Sequence, residues 1–502
     1  MVSNVLQLNN ISFAYDSFSK IIFQSVTLNI YNGWTGVIGP NGSGKTTFLK
    51  LCTNKLKPQE GKVIFPRYSV YCEQRTDNCP VDIEYFIYSY NKTAIKLKSV
   101  LEIDEEYMSR WNTLSHGERK RVQIGNALYQ EPDLLAMDEP ANHLDSESKE
   151  IIKKALQSFK GIGLIVSHDR DLLNSLCGQC IFIEPPDITL YRGNYTETKI
   201  QYDEHIQYNK KMYNKFQKEK RRIESIIQKR KQLAQNSDKR VSKRGINRRD
   251  HDSKAKINAA RVTGKDGVGG KLVNQVQGRL NQTIEKQKKY ELKKEFRTGI
   301  EFNAESSKRR ILFYEDSFEI YLGEARKLSI ENLNINPTDK IGVTGKNGSG
   351  KSTLINYILK NLNLNRKNIL YIPQEIDVDT TKRIQKDIKN LKDDELGILM
   401  ALITRLGSEP QRLLESELFS PGETRKLLFA FGVMNNPQIV IMDEPTNHLD
   451  IVAVESLENA LKELSCALLL VSHDRLFLEN LVNINWHIEK SGDDYILKKF
   501  FK

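Results

Sequence analysis

Cysteines are few in this 502-residue chain, and long apolar runs are absent. The six cysteines are irregularly spaced, which argues against a disulfide framework and fits a reducing compartment. Cys177 and Cys180 form a lone CxxC with no second ligand pair, so no zinc site is expected. Apolar segments such as 436–442 are far shorter than the roughly 18 residues of a membrane helix, and the first residues do not resemble a signal peptide. We therefore expect a cytoplasmic protein without a membrane span.

Acidic residues are sparse in the middle of the chain. Residues 201–300 hold 28 Lys and Arg but only 11 Asp and Glu, a net charge of +17 within a chain of +12. The remaining residues therefore sum to −5. Such segregated positive charge predicts a polyanionic partner for the middle segment. No aromatic residue occurs from 236 to 271, which favours contact with phosphates and helical shape over base stacking.

Four short motifs occur twice, in the same order. They are 39–46 and 345–352, 114–118 and 419–423, 138–145 and 443–450, and 167–170 and 472–475. The offset between the copies is 305 or 306 residues throughout. Motifs that keep their register over this distance indicate one domain type present twice.

Each copy begins with a glycine-rich loop of the form GxxxxGK[ST], between an apolar strand and a helix. Glycines let backbone N–H groups curl round phosphates, and the helix N-terminus adds partial positive charge. Lys45 and Lys351 are expected to reach the β- and γ-phosphates, and the hydroxyls of Thr46 and Ser352 to bind Mg²⁺. The predicted phosphate-binding residues are Gly39, Asn41, Gly42, Ser43, Gly44, Lys45, Thr46 and Thr47, and Gly345, Asn347, Gly348, Ser349, Gly350, Lys351, Ser352 and Thr353.

Two adjacent carboxylates follow an apolar strand in each copy, Asp138 with Glu139 and Asp443 with Glu444. Since neighbouring residues of a strand face opposite sides, we expect each Asp to face the metal ion and each Glu to face a water molecule. Glu139 and Glu444 are therefore the predicted general bases for attack on the γ-phosphate.

A histidine follows the next apolar strand in each copy, His168 after 164–166 and His473 after 469–471. A lone histidine is more often structural than catalytic. Because both copies place one at the end of a strand, we interpret the two as sensors of the γ-phosphate.

Taken together, the motifs resemble those of ATP-binding cassette ATPases. The signatures Ser115-x-Gly117-Glu118 and Ser420-x-Gly422-Glu423 separate this family from other glycine-loop NTPases. The resemblance implies two cassettes packed head to tail, with each ATP between the glycine loop of one and the signature helix of the other. Site A would combine Lys45, Asp138 and Glu139 with Ser420 and Gly422, and site B would combine Lys351, Asp443 and Glu444 with Ser115 and Gly117.

The same resemblance assigns roles to three residues outside these motifs. Gln74 and Gln374 stand where family members place a glutamine that senses Mg²⁺ and water. Tyr15 stands where they stack adenine, whereas Tyr321, its offset partner, fits an aromatic core position equally well.

Two departures from the family pattern concern the equivalence of the sites. Pro421 follows Ser420, which suits the start of a helix but removes an N–H near the γ-phosphate and would slow site A. Ala141 stands where the second copy has Thr446, with no clear consequence. Since both copies keep Glu and His, we expect two hydrolytic sites.

Paired cassettes with Asn-His-Leu-Asp at 142–145 and 447–450, joined by a charged linker, resemble the ABC-F class, whose members act on ribosomes. The expected fold is α/β, with two P-loop cassettes in tandem joined by a long antiparallel α-helical hairpin. The expected domains are a first cassette at 1–195, a basic linker at 196–300 and a second cassette at 301–502. Apolar seams predict the two helices of the hairpin, at Met212, Phe216, Ile223, Ile226 and Leu233, and at Val273, Val276, Leu280 and Ile284.

Between the seams, at about 236–271, the helical periodicity fails and we expect a basic, partly irregular tip. From residue 239 to residue 256 there are eight bases and two acids, whereas a solvated helix normally mixes charges of both signs. The candidate ribosome-binding residues are Lys239, Arg240, Lys243, Arg244, Arg248, Arg249, Lys254 and Lys256.

Segment lengths separate the branches of this class. Ser115 follows Gln74 by only 41 positions, and no basic tail follows the second cassette. Both features resemble the antibiotic-resistance branch, which implies binding at the ribosomal E site, contact with large-subunit rRNA and P-site tRNA, and release of pleuromutilins, lincosamides and streptogramin A. ATP binding would close the cassettes of a monomer, and hydrolysis would reopen them. A housekeeping translation factor of the same class and, more remotely, the ATPase subunit of a transporter stay open as alternatives.

Overall fold

The computed structural model describes residues 5–15, 21–142, 144–241, 252, 255, 266–290, 307–323, 326–408, 410 and 419–502. The chain divides into two compact units. One comprises Met1–Thr198 and Phe296–Lys502, and the other Lys199–Glu295. Among the described residues, no helix combines the length and apolarity that crossing a membrane requires.

The first half of the chain, called cassette 1, is an α/β domain. Its elements are β1 Val5–Ala14, β2 Ile21–Tyr31, β3 Gly33–Ile38, α1 Lys45–Cys52, β4 Glu60–Ile64, β5 Ser69–Cys72, α2 Ile83–Ile87, α3 Lys92–Leu101, α4 His116–Tyr129, β6 Leu134–Asp138, α5 Ser146–Gln157, β7 Ile162–Val166, α6 Arg170–Leu176, β8 Cys177–Glu184 and β9 Asp187–Arg192. An antiparallel sheet has the order β2-β1-β4, and the main sheet has the order β5-β6-β7-β3-β8-β9. Strands β5 to β8 of the main sheet run parallel with β3, so their carboxyl ends meet at one edge.

Within the described part of the linker there are two long helices, α7 Tyr195–Val241 and α8 Asp266–Lys288. Ile223, Ile226 and Ile227 of α7 pack against Val276, Leu280 and Ile284 of α8. Nearer the other end, Phe216 stacks on Tyr290 with ring centroids 5.8 Å apart. Because higher numbers on α7 meet lower numbers on α8, the helices run antiparallel. The predicted hairpin is confirmed.

Both ends of the segment predicted to be irregular, 236–241 and 266–271, are helical in the structure. Helix α7 continues to Val241, and α8 begins at Asp266 although three glycines follow in its first turn and a half. Each glycine costs about 1 kcal/mol relative to alanine in a helix, so the prediction placed the start of α8 too late. Of the eight predicted ribosome-binding residues, Lys239 and Arg240 lie on the backbone of α7, and the other six lie outside the described residues.

The second half, cassette 2, repeats the architecture of the first. Its elements are β10 Phe313–Tyr321, β11 Lys327–Ile335, β12 Lys340–Gly345, α9 Lys351–Asn361, β13 Ile369–Ile372, α10 Val378–Lys389, α11 Asp393–Arg405, α12 Pro421–Val433, β14 Ile439–Asp443, α13 Ile451–Glu463, β15 Ala467–Val471, α14 Arg475–Leu481, β16 Ile484–Ser491 and β17 Asp494–Phe501. The sheet order is β10-β11-β17-β16-β12-β15-β14-β13. Read from β13 to β17, this order is the counterpart of β5 to β9, so the duplicated motifs occupy equivalent positions in two copies of one fold.

Burial explains why the central strands read as continuous apolar runs. Every residue of β6, β7, β14 and β15 is buried, as expected for parallel strands covered by helices on both faces. The polar residues that end these strands are therefore held by a fully packed sheet. That packing positions the functional side chains at the shared carboxyl edge.

Candidate functional site

Both glycine loops have the same backbone geometry. Gly44 and Gly350, which cap α1 and α9, have φ angles of 94° and 95°, a conformation that side-chain-bearing residues rarely adopt. Lys45 Nζ donates to two loop carbonyl oxygens at 2.8 and 3.2 Å, and Lys351 Nζ donates to the equivalent pair at 2.8 and 3.0 Å. The hydroxyls of Ser43 and Ser349 are buried and accept or donate no hydrogen bond within the described structure. Lysine and serine together fit a loop built to surround phosphate oxygens.

The predicted metal-binding hydroxyls lie against the predicted metal-binding aspartates. Thr46 Oγ1 donates to Asp138 Oδ2 at 2.7 Å, and Ser352 Oγ donates to Asp443 Oδ2 at 2.7 Å. A hydroxyl beside a carboxylate is an all-oxygen donor set of the kind that Mg²⁺ takes together with substrate phosphates. The residues present therefore fit a Mg²⁺–nucleotide complex in both cassettes.

The glutamates that follow these aspartates do not obey the strand alternation expected from sequence. Strands β6 and β14 end at the aspartates, and Glu139 and Glu444 have φ angles of 49° and 48°. Their N–H groups donate to Val166 O and Val471 O, each at 2.9 Å. A left-handed backbone, held by the neighbouring strand, aims each glutamate. Non-glycine residues rarely adopt this conformation, and it occurs most often at functional sites.

Each glutamate faces the histidine of its own cassette. The His168 N–H donates to Glu139 Oε2 at 3.2 Å, and His168 Nε2 lies 3.1 Å from Glu139 Oε1. In cassette 2, the His473 N–H donates to Glu444 Oε2 at 3.4 Å, and the ring nitrogen lies 3.5 Å from Oε1. The structure thus brings the predicted base and the predicted sensor together in both copies.

Burial shifts the pKa of the two glutamates and the pKa of the two histidines in opposite directions. Loss of solvent raises the pKa of Glu139 and that of Glu444 to about 7, against the attraction of the nearby loop lysines. Loss of solvent lowers the pKa of His168 and that of His473 to about 3. Near neutral pH the imidazoles are therefore neutral, and the carboxyls titrate where a general base works best.

The glutamines that follow β5 and β13 are anchored through their main chains. Lys120 Nζ donates to Gln74 O at 3.1 Å, and Arg425 Nη2 donates to Gln374 O at 2.7 Å. Lys120 and Arg425 are separated by 305 residues, so the duplication itself marks them. These buried cations link each signature helix to the glutamine loop of its own cassette. Lys120 and Arg425 lie outside the four duplicated motifs, so the motifs alone did not predict this role for them.

The two cassettes contact each other through the glycine loops. The Asn41 N–H donates to Asp450 Oδ2 at 2.7 Å, and the Asn41 side chain donates to His448 O at 3.3 Å. Reciprocally, the Asn347 N–H donates to Asp145, a contact that helps lower the pKa of that carboxyl. Asp145 and Asp450 also cap α5 and α13, so one carboxylate orders a helix and contacts the opposite cassette. This reciprocity establishes the head-to-tail packing of the cassettes.

The signature serines begin helices. Ser115 and Ser420 cap α4 and α12 in capping boxes, in which their Oγ atoms donate to Glu118 and Glu423 at 2.7 Å. Pro421 occupies the first position of α12, as the sequence predicts. The two glutamates were predicted among the ATP-binding residues. Here their carboxylates bond the serines, so their geometry is that of groups that orient the serine hydroxyls.

A cavity of about 730 Å³ contains the cassette 2 half of site B. Its lining from cassette 2 comprises Tyr321, Leu322, Gly323, Asn347, Gly348, Gly350, Lys351, Ser352, Thr353, Gln374, Asp443, Glu444, Thr446, Asn447, Val454, His473 and Asp474. Its lining from cassette 1 comprises Glu139, Ala141, Asn142, Leu144, Lys149, Ser167, His168 and Asp169. Neither Ser115 nor Gly117 lines this cavity.

The aromatic candidates differ between the copies. The Tyr15 hydroxyl lies 3.0 Å from Thr47 Oγ1, beside the first glycine loop. Tyr321 lines the site B cavity and is 73% exposed. That exposure excludes the core position that the sequence left open for Tyr321.

Comparison with known proteins adds a family to this geometry. The family model described as ABC transporter matches residues 23–142 and 328–447, which contain both glycine loops and both Asp-Glu pairs. The ribosome protection protein VmlR of Bacillus subtilis is 28% identical over 98% of this chain and 88% of its own length. ABC transporter F family member 2 of Arabidopsis thaliana is 25% identical over 96% of this chain and 76% of its own length. The chain belongs to the ABC-F class of ATP-binding cassette proteins.

A solved structure supports the same fold. An archaeal complex of the ribosomal stalk protein aP1 and the ribosome recycling factor aABCE1 matches 97% of this chain and 89% of that chain, with a TM-score of 0.60. At 16% identity, that likeness concerns the fold alone. As an ABC-F protein with both cassettes present, the chain binds and hydrolyses ATP.

Proposed function

We propose that this chain is an ATP-driven ribosome protection factor. In its ATP-bound state it binds the ribosome and frees the peptidyl-transferase centre from antibiotics, and ATP hydrolysis releases it. The observation that carries this proposal is the match to a ribosome protection protein over 98% of the chain, which includes the linker as well as both cassettes. Pleuromutilins, lincosamides and streptogramin A are the proposed drugs, and the protein acts in the cytoplasm as a monomer.

The charge of the linker supports a nucleic acid partner. Residues 201–300 carry a net charge of +17, whereas the rest of the chain is mildly acidic. Bases on a helical hairpin suit the phosphates of large-subunit rRNA and of P-site tRNA. Helix α7 has 47 residues and is therefore roughly 70 Å long.

The glycine loops bind the ATP phosphates in this proposal. Lys45 and Lys351 exchange their bonds to loop carbonyls for bonds to the β- and γ-phosphates, and Ser43 and Ser349 donate from buried positions. Mg²⁺, held by Thr46 with Asp138 in site A and by Ser352 with Asp443 in site B, would neutralise phosphate charge. Gln74 and Gln374 complete the proposed metal environment.

Glu139 and Glu444 take the proton of the attacking water. Their pKa values of about 7 make both proton uptake and proton release possible at neutral pH. His168 and His473 report on the γ-phosphate. Their imidazoles are neutral, and their main-chain N–H groups donate to these glutamates. Because each glycine loop also bonds the opposite cassette, nucleotide in one site changes the packing of both.

The test uses the Glu139→Gln, Glu444→Gln double variant, which should bind ATP without hydrolysing it. We expect this variant to co-sediment with ribosomes in ATP but not in ADP, and to release a radiolabelled pleuromutilin or lincosamide from them. A matched control replaces Lys45 and Lys351 with Met in the same background, which removes ATP binding and should abolish co-sedimentation.

A second variant tests the tip. Replacing the eight predicted bases from Lys239 to Lys256 with Gln should weaken ribosome binding and flatten its salt dependence, since the slope reflects the number of neutralised phosphates. The control replaces an equal number of bases on the described part of α7, between Lys210 and Arg230. Equal losses from both sets would contradict a role specific to the tip.

The remaining outcomes distinguish the alternatives. Ribosome binding without drug release would indicate a housekeeping ABC-F translation factor. The name of the Arabidopsis relative gives only its family. Absence of ribosome binding would contradict the proposal. Co-purification with a membrane protein in that case would indicate a transporter subunit.

A further inference from the structure

Lys149, on α5 of cassette 1, contacts the catalytic centre of the opposite cassette. Its Nζ lies 2.7 Å from Asp169 Oδ2 and donates to His473 O at 3.3 Å. The side chain is 20% exposed, and it lines the site B cavity. Asp169 directly follows His168 of site A. One ammonium group therefore joins the histidine loop of site A to the histidine of site B.

Among the residues that the structure describes, site A shows no counterpart to this contact. The residue equivalent to Lys149, at the offset of 305, is Val454, which is 2% exposed in the core of cassette 2 and cannot donate a hydrogen bond. The neighbouring arginines repeat the difference. Arg170 crosses to Glu458 at 3.0 Å and to Asp474 at 3.6 Å, whereas its equivalent, Arg475, pairs with Glu479 on its own helix and is 80% exposed.

The position of Lys149 bears directly on the chemistry of site B. The main chain at His473 holds Glu444 through an N–H bond at 3.4 Å, so a cation on the His473 carbonyl acts on the base through the backbone of one residue. A misplacement of a base by about 1 Å is enough to slow a reaction substantially.

We propose that Lys149 is a positioning residue that acts in trans on site B. Its ammonium group, held by Asp169, fixes the main chain at His473 when the cassettes pack together, and it makes the two sites unequal. The inference rests on the proposed roles of Glu444 and His473 but not on ribosome binding. It predicts that the two sites behave unequally because of a side chain outside every named motif.

The test measures each site by itself, with ATP and without ribosomes. In a Glu139→Gln background only site B hydrolyses ATP, and Lys149→Met should lower kcat about tenfold there. In a Glu444→Gln background only site A hydrolyses ATP, and the same change should alter kcat less than about twofold. Lys149→Arg should restore most of the site B rate. Equal losses in both backgrounds, or no loss at site B, would overturn the proposal.

Two controls separate positioning from folding. Lys153→Met alters a lysine one turn further along α5, which pairs with Glu150 and Asp171, and it should leave both rates unchanged. Lys149→Met with Asp169→Asn removes both charges of the buried pair while keeping a residue that can cap α6. A site B loss that persists in this double variant belongs to the His473 contact and not to an unpaired Asp169.

A binding measurement covers the case in which the single-site backgrounds are inactive. In the Glu139→Gln, Glu444→Gln variant, a fluorescent ATP analogue should leave in two phases, and the phase lost in Lys351→Ala belongs to site B. Lys149→Met should accelerate that phase and spare the other. An unchanged site B phase would refute the proposal. Inactivity of both single-site backgrounds would instead contradict independent turnover by the two glutamates.

Discussion

Sites A and B contain equivalent side chains from their own cassettes and differ in the side chains that the opposite cassette contributes. The hydroxyl–aspartate pairs have the same length of 2.7 Å in both cassettes, and both predicted catalytic glutamates leave their strands with φ near 50°. Across the interface the copies diverge: Lys149 of cassette 1 reaches site B, whereas Val454 of cassette 2 offers site A no equivalent. The groups predicted to face the nucleotide are thus repeated in both cassettes, and the difference between the sites lies in side chains that cross the interface.

The largest expected effect removes the chemistry from one site at a time. Glu139→Gln should stop site A and Glu444→Gln site B, and the double variant should lose at least about 100-fold in kcat, since a general base contributes roughly 10²–10⁴-fold. Phosphate release by the three variants measures this. Glu150→Gln, on an exposed face of α5, serves as the control. If one single variant abolishes all turnover, the sites are obligatorily coupled rather than merely unequal.

The next effect concerns the equivalent arginines. Arg170 and Glu458 have side chains only 8% and 7% exposed, so Arg170→Met removes the charged partner of Glu458 Oε2, while Lys462 and Asn480 still bond Oε1. We expect a loss of about 1.5–3 kcal/mol in the free energy of unfolding. Arg475→Met, at an exposed pair, should cost less than about 1 kcal/mol. Urea denaturation of the two variants compares them directly, and equal losses would contradict the asymmetric interface.

The pH dependence should be the same for both sites in the wild-type sequence. Burial raises the pKa of Glu139 and of Glu444 to about 7, and only the ionised carboxylate accepts a proton. Turnover should therefore fall about tenfold per pH unit below 7 in each single-site variant. The histidines, with pKa values near 3, should cause no further change of turnover between pH 5 and 8. A site without the acidic limb would not use its glutamate as the base.

The smallest expected effect is at the signature of site A. Pro421 lacks the N–H that His116 offers at the same position of the other signature helix. Pro421→His should therefore raise the turnover of site A a few-fold, within the range of about 0.5–1.5 kcal/mol for one hydrogen bond. His116→Pro should slow site B by a similar factor. An unchanged rate in both variants would show that this N–H does not contribute.

The sequence predicted the elements that end in functional residues because their signals are local. The apolar run and glycine loop at 33–46 predicted β3 and the start of α1 at Lys45, as observed. The apolar seam containing Ile223 and Ile226 predicted the contact with α8. The direction of Glu139 could not be read in this way. It depends on a left-handed residue held by the neighbouring strand, and periodicity carries no information about such a turn.

The sequence by itself determined that this protein has two nucleotide domains and a basic linker between them, and it predicted the residues that bind phosphate and metal in each domain. These properties reside in short contiguous segments repeated at a constant offset. Only the tertiary structure decided that Asp450 contacts Asn41, that Arg170 pairs with Glu458, and that Lys149 reaches His473. Each of these pairs joins residues far apart in the chain. Their proximity depends on how two folded surfaces pack, which no local pattern records.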